Sequence, residues 1–561
     1  MKAMKRLLAA VLAVAMTLAF AACGNKGGND NNTQGDGNAA AGSKVLNVMV
    51  EVEVATLDPQ IATDGTSFEA IANFTDGLMQ MDANGVPVEA IAESYDISED
   101  QLTYTFHLRE DAVWSNGTPV TADDFIFGWQ RAVDPAVASE YSYLFSDIGQ
   151  IKNAAEIIAG EKEVTELGVS APDDHTLVVE LNVPVSYFLS LMYFPTFYPI
   201  NREFYESTGG EGKYATSPET LLSNGAFIVE SYEPAAQSFS FVKNPDYYNA
   251  DSVQLDGLNY QVIKDSQQAL MAYQNGTLDV VKLSGDQVDQ VKDDPELNVV
   301  GAGYLWHLTM NVTDVPDLVN LNLRMAFTHA VDRETIVNNV VKDGSLATYT
   351  AVPPQFATSP VDGSDFSEDQ EMFSEYCSFD LEKATEYYEA AKKELGKDTF
   401  EFDLLCEDQT ETQRVATVIK EQLETALPGV TMNIVVEPKK QRVEDIQNGN
   451  YEVCLTRWGP DYADPMTYLG MWITDNNNNY GRWSSAEYDA IIADCTTGQY
   501  VSDPAARWEA LYDAEEIVMK EAVIVPVYTK ADACMIKGDV FCLWDHISEH
   551  FQFTVNSYKS I

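Results

Sequence analysis

The sequence predicts a mixed α/β fold built from several domain-sized units, and three observations carry that expectation. The chain has 561 residues, which at about 150 residues per domain is enough for three or four units. Apolar residues make up 45 % and aromatics 11 %, enough to fill large cores and too much for a disordered polymer. From Lys44 onward, short β-rich runs alternate with amphipathic helical patterns.

Taken in order, residues 45–54 read as a strand, and residues 68–78 carry apolar positions at helical spacing. Residues 102–109 (LTYTFHLR) alternate as a half-buried strand does. Thr121 stands at a helix N-cap, Asp123 and Asp124 fill the first turn, and Phe125, Trp129 and Val133 form the apolar stripe. Further helices are predicted over 319–341, 381–395, 411–427 and 504–520. Residues 523–528 (VIVPVY) read as a buried strand in which Pro526 marks an edge or a bend. The four asparagines at 476–479 read as a turn.

The first residues predict where the protein works. Lys2, Lys5 and Arg6 precede an apolar run at 7–22 that ends in Ala21-Ala22-Cys23-Gly24, the pattern of an export signal that is removed. As a permanent membrane span the run is short against the roughly 20 residues required. Residues 18–23 (LAFAAC) resemble a bacterial lipobox, with Phe20 at the usual Leu position. That resemblance implies a lipidated Cys23 whose acyl chains anchor the protein stably. Residues 24–43 are mostly Gly, Asn, Asp, Ala and Ser and read as a flexible tether. The expected arrangement is therefore signal 1–22, lipidated Cys and tether 23–43, and a folded body outside the cytoplasm, attached to the cell membrane.

Charge and motifs narrow the function. Lys+Arg 34 against Asp+Glu 88 gives 34 − 88 = −54, so phosphate backbones and anionic lipid surfaces are repelled and no nucleic-acid partner is expected. Six further cysteines (Cys377, Cys406, Cys454, Cys495, Cys534 and Cys542) lack CxxC spacing, and free thiols and bridges both remain open. His546-Ile547-Ser548-Glu549-His550 matches H-x-x-E-H, but only eleven residues follow and none is acidic, so a third zinc ligand is missing there and no metal is expected. There is no G-x-S-x-G, P-loop or complete G-x-G-x-x-G. No enzyme class or cofactor emerges.

Ordered blocks then carry a resemblance. LDP at 57–59, LREDAVWSNGTPVTADDF at 108–125, WQR at 129–131 and DP at 134–135 are followed by NGAF at 224–227 and KNPDYY at 243–248. RMAF at 324–327, AVDR at 330–333 and WGPDYADP at 458–465 complete the set. In order and spacing these resemble the family 5 extracellular solute-binding proteins, and within them the oligopeptide-binding proteins of ABC importers. The resemblance spans almost the whole mature chain. It implies a two-lobed clamp of the type II periplasmic-binding-protein class with an additional α+β subdomain. Lobe I would comprise 44–64, 194–301 and 528–561, the subdomain 65–193, and lobe II 302–527, with two crossing strands as the hinge.

The same resemblance implies a lipid-anchored, monomeric receptor that captures short peptides and passes them to the permease of an ABC importer, without chemistry. An extended ligand would lie between Glu53-Val54-Ala55 and Arg457-Trp458-Gly459, paired through its main chain. Asp461 corresponds to the carboxylate that meets the ligand's α-ammonium. Turn capping beside Pro460 and Pro465 is the competing role for Asp461 and Asp464, and the resemblance favours a ligand role for Asp461 alone. Arg457 reads equally as the partner of a ligand carboxylate or of a neighbouring acid, and Trp458 as a site wall or as core. Tyr141 and Tyr143 lie where the family has a pocket tyrosine, and the block at 108–125 reads as structural. Gly459 stands where a disulfide-bearing family member has Cys. Competing functions are the capture of another solute, such as an oligosaccharide, a metal chelate or haem, and a secreted hydrolase.

Overall fold

A computed structural model of the chain describes residues 44–81, 87–359 and 361–538. The export segment, Cys23, the tether, Cys542, His546 and His550 lie outside the described residues. Strand β1 (Val45–Val50) leads through a loop to the helix Gly65–Phe74 and a short pair, β2 (Met79–Met81) and β3 (Pro87–Glu89). Next come β4 (Ala92–Ile97), β5 (Thr103–Leu108), β6 (Val169–Asp173) and β7 (Thr176–Glu180), an antiparallel sheet in the order β4-β5-β7-β6. The helix Ala122–Val133 is inserted between β5 and β6. The remaining strands are β8 (Phe227–Ser231), β9 (Ser238–Lys243), β10 (Gly257–Val262), β11 (Val280–Lys282), β12 (Leu297–Met310), β13 (Leu346–Ala347), β14 (Phe400–Glu407), β15 (Val430–Glu437), β16 (Val453–Trp458) and β17 (Ile524–Ile536).

With β1 they form one mixed sheet in the order β15-β14-β16-β12-β17-β11-β1-β10-β9-β8, with β13 added on β17. Its axis is the antiparallel pair β12–β17. Leu297–Gly301 pairs with residues 531–535, pairing is interrupted at 302–304, and it resumes over Leu305–Thr309. The first stretch is flanked by β11 and, beyond it, β1, and the second by β16. One large apolar core joins Leu46, Phe68, Trp114 and Trp129 to Tyr468, Leu511 and Val518. Another packs Leu308, Phe327, Ile336, Phe402, Ile419 and Val453 around the other half of the sheet.

Local chemistry accounts for the elements that match their predicted bounds. The helix Leu381–Leu395 starts where Asp380 accepts from the backbone of Glu382 and Lys383 and stops at Gly396 in the left-handed region (φ 66°). Thr121 and Asp124 form a capping box, and the same Asp124 carboxylate accepts from Trp114 Nε1 at 3.0 Å. The block at 108–125 is thereby a structural knot: Trp114 is 1 % exposed and Gly117 takes φ 83° in the turn it closes.

Three predicted elements differ. The strand over 45–54 ends at Val50, and Ser67 Oγ holds the loop beyond it by accepting from the N–H groups of Ala55 and Thr56. The single helix over 319–341 is instead Leu321–Ala330, then Arg333–Ile336 running into a π-helical turn, because Asp332 caps a new helix start by accepting from Thr335 N. Pro526 lies inside the sheet, so it marks a bend, with a register shift opposite it at Trp306/His307. Its carbonyl accepts from Arg333 Nε at 2.7 Å.

Cys377, Cys406, Cys454, Cys495 and Cys534 are all buried free thiols, and burial pushes the Cys406 and Cys495 thiols up to about 11. Thiolate is the reactive form. Native protein treated with iodoacetamide is therefore expected to carry no label on these five positions by peptide-mapping mass spectrometry, and full label after urea. Native labelling at any of them would contradict the packing described.

Candidate functional site

The segment that follows β16 is built around two aspartates with opposite surroundings. Asp464 forms a bidentate pair with Arg507, 2.8 Å to each guanidinium nitrogen, with side chains 7 % and 5 % exposed. Asp464 Oδ1 also accepts from Met466 N, and Arg507 Nε donates to the Cys495 carbonyl. Asp464 is thus a structural anchor that ties the turn to the helix Pro504–Lys520.

Asp461 is partly buried and has no cationic partner among the described residues. Its backbone N–H donates to Thr467 Oγ1 at 3.0 Å, which orients the residue, and its Oδ2 accepts from the Tyr143 hydroxyl at 2.9 Å. Burial pushes the carboxyl up to about 6, opposed by the Tyr143 hydrogen bond. Tyr143 ends the stretch before a π-helical turn, and Tyr141 lies beside it with ring centroids 5.8 Å apart. Tyr141 also packs edge-on against Phe68 (5.5 Å) and against Phe194 (5.3 Å). The result is an aromatic wall facing an uncompensated carboxylate.

The remaining predicted residues have different partners. Arg457 Nη1 donates to Glu407 Oε2 at 2.8 Å, and its guanidinium lies 4.8 Å from the Trp306 ring centre, so the neighbouring acid is the partner it has here. Trp458 packs partly on the main core and carries a buried indole N–H without a hydrogen-bond partner among the described residues. Glu53 is held at the surface by Lys264 and Gln237, each at 2.8 Å, and these contacts hold its carboxyl down at about 2. Val54 is buried, and the loop behind it is fixed by Ser67, which also donates to Asp64 at 2.6 Å. The main-chain groups of Val54 and Gly459 pair with no other described residue, which leaves them available to an extended chain.

Three residues outside the predicted set, Glu407, Lys439 and Tyr304, also belong to this region. Glu407 holds both Arg457 and Arg442, and these outweigh its burial and keep its carboxyl below the usual range. Lys439 adds a third cation with no ion-pair partner among the described residues, and burial followed by Arg457 lowers its pKa. The signal was present in the sequence: KKQR at 439–442 is a basic run in a chain of net charge −54. The third is Tyr304, which sits in the interruption of β12. A Cβ at Gly459 would lie 2.4 Å from its ring, and Tyr468 Oη donates to the neighbouring Gly303 carbonyl. The segment bearing Asp461 therefore grips the interrupted part of β12 at two points. No group of three or more His, Cys, Asp or Glu suited to a metal ion occurs among the described residues.

Comparison with known proteins bears on the whole arrangement. Residues 86–480 match the family described as bacterial extracellular solute-binding proteins, family 5 Middle. The chain belongs to that family. It is 31 % identical over 523 residues to the dipeptide-binding protein of Lactococcus lactis subsp. cremoris, covering 91 % of this chain and 93 % of the relative. Among solved structures, the substrate-binding domain of the Bacillus anthracis oligopeptide ABC transporter is 36 % identical with a TM-score of 0.77, covering 93 % of this chain and 99 % of that one. Listeria monocytogenes OppA bound to peptide is 32 % identical with a TM-score of 0.76, covering 93 % and 100 %. This family 5 member accordingly has the two-lobed type II fold with its extra subdomain. Its family consists of extracellular solute-binding proteins. Among the described residues no helix is long and apolar enough to cross a membrane.

The two aspartates of this family 5 protein should separate in a stability measurement. Asp464→Ala leaves Arg507 buried without its partner and is expected to lower the unfolding free energy by about 3–5 kcal/mol in urea denaturation. A loss below about 1 kcal/mol would remove Asp464 from its anchoring role.

Proposed function

We propose that the protein captures short peptides between its two lobes and delivers them to the permease of an ABC importer. Asp461 receives the α-ammonium of the ligand, and Tyr141, Tyr143 and Trp458 wall the space around it. The observation that carries this reading is a desolvated carboxylate with no cation of its own, beside an aromatic wall. A buried ionised carboxylate is costly unless paired, so the site is built to gain from an incoming cation. Relatives with peptide-binding names support the substrate class.

Val54 and Gly459 pair with the ligand main chain, with Glu53 and Ala55 flanking. The three cations around Glu407 leave a positive excess at Arg457 and Lys439, suited to a ligand carboxylate. Lobe I (44–64, 194–301, 528–561) with its subdomain (65–193) and lobe II (302–527) close about the interrupted stretch of β12 and its partner β17, and Cys23 tethers the receptor to the membrane through its lipid. Labelled palmitate on wild type but not on Cys23→Ser tests the anchor.

Mass spectrometry of the ligand co-purified under native conditions is expected to find peptides. In calorimetry, Asp461→Asn is expected to weaken peptide binding about 30-fold or more without lowering the thermal midpoint, since the amide still accepts from Tyr143. N-acetylated peptides are expected to bind as weakly to wild type. Equal affinity for free and acetylated peptides would remove Asp461 from the amine role.

Binding should also depend on pH with a definite sign. The free carboxyl titrates at about 6 and bound ammonium favours its ionised form, so affinity is expected to fall as pH drops through that value. The decline should approach tenfold per unit, and the α-amine, with a pKa of about 8, sets the upper limit. A flat profile from pH 7 to pH 4.5 would contradict the assignment.

A further inference from the structure

A concavity lies away from the candidate peptide site. It has a volume of about 650 Å³ and is formed by the loop at 474–484, the end of the helix Lys439–Asn448 and Thr313. The β12–β16 pair runs from Leu305–Trp458, beside the candidate peptide site, to Met310–Val453, beside this hollow. Five residue steps of strand separate the two ends, about 17 Å. None of its lining residues belongs to the peptide site described above.

The hollow is firmly built. Asn479, 5 % exposed, donates through Nδ2 to the carbonyls of Ile473 (3.1 Å) and Trp483 (2.7 Å), closing the loop on itself. Thr474 Oγ1 donates to Ser484 Oγ, Thr313 Oγ1 to the Arg482 carbonyl, and Tyr451 Oη to the Tyr480 carbonyl. Asp475 and Arg482 both take left-handed backbone angles (φ 63° and 55°), a cost that the surrounding bonds offset. Gly449, itself at φ 76°, leaves room for the Arg482 guanidinium, which would lie 2.5 Å from a Cβ there.

What this frame presents is mostly polar. Asp475, Asn477 and Gln447 make no side-chain hydrogen bond or ion pair with any described residue, and Arg482 uses one nitrogen on Asp314 at 3.3 Å. The aromatic contribution comes from Tyr480 and Trp483. An anion would meet Asp475, and a cation would meet Arg482. An apolar ligand would strip water from carboxylate and amides without replacing their hydrogen bonds. A neutral solute rich in hydroxyls, with a face that can rest on an aromatic edge, satisfies every group present. We propose that this hollow is a second binding site, for a neutral saccharide of one or two rings, independent of the peptide cleft. The volume lies within the range of about 300–1,000 Å³ usual for small-ligand sites.

Saturation-transfer NMR on the full chain with N,N′-diacetylchitobiose and with maltose tests this. At least one of the two is expected to bind with a dissociation constant of about 1 mM. The double variant Gln447→Ala/Asn477→Ala is expected to weaken it about tenfold through two lost hydrogen bonds, with thermal midpoint and tri-alanine binding unchanged. Added tri-alanine should not displace the sugar. No transfer from either sugar at about 20 mM would overturn the proposal, as would undiminished transfer in the double variant, or displacement by tri-alanine, which would place the sugar in the cleft.

Discussion

The pairing of β12 with β17 is the constraint on which the rest of the molecule depends. These two strands are the only members of the large sheet that run along both of its halves among the described residues, so every other strand is positioned by reference to them. Their ladder is interrupted at 302–304, so the two halves of the pair are joined by fewest ladder hydrogen bonds there. Around that weak stretch the contacts are unusually specific. Tyr304 closes on Gly459, Tyr468 holds the Gly303 carbonyl, and the buried Arg333 guanidinium braces the β17 bulge from behind at Pro526.

The division of labour between Asp461 and Asp464 shows why charge count says little about function. They lie three positions apart, yet one is neutralised by Arg507 and the other has no cation among the described residues. Most of the chain's 88 acids contribute to a solvated negative surface, which repels polyanions and selects nothing finer. On the proposed reading, selectivity instead rests on individual groups that folding has separated from water and from their counter-ions. Glu407 illustrates the reverse case, a single carboxylate shared by two guanidinium groups, which makes the neighbourhood locally positive within a chain of net charge −54.

Where local chemistry decides an element, the sequence was sufficient. Asp380 and Gly396 delimit one helix and Asp503 with Pro504 opens another, and both could be bounded from those residues alone. The ordered motifs likewise pointed to the family fold, and the family match spans 86–480. Legibility failed where the deciding partner was distant. Arg507 lies 43 residues from Asp464, and Glu407 lies 50 from Arg457. The interruption near Asp332 went unseen because a capping Asp inside an apolar pattern looks like a tolerated polar position until its side chain is seen to turn back. Lys439 was missed for a different reason, since a basic run stands out only against the acidity of the whole chain.

On the proposed reading, the hydrogen bond from Tyr143 to Asp461 is an internal rival for the ligand's ammonium group. A rival built into the chain acts at an effective concentration that dilution does not lower. Solutes offering a neutral donor gain little by displacing it, since they exchange one hydroxyl-type bond for another. An ammonium group gains a full charge interaction in the same exchange. On the proposed reading, discrimination against abundant alcohols, sugars and amides is therefore exercised before any side-chain pocket is consulted, and it holds however concentrated the receptor or dilute the medium.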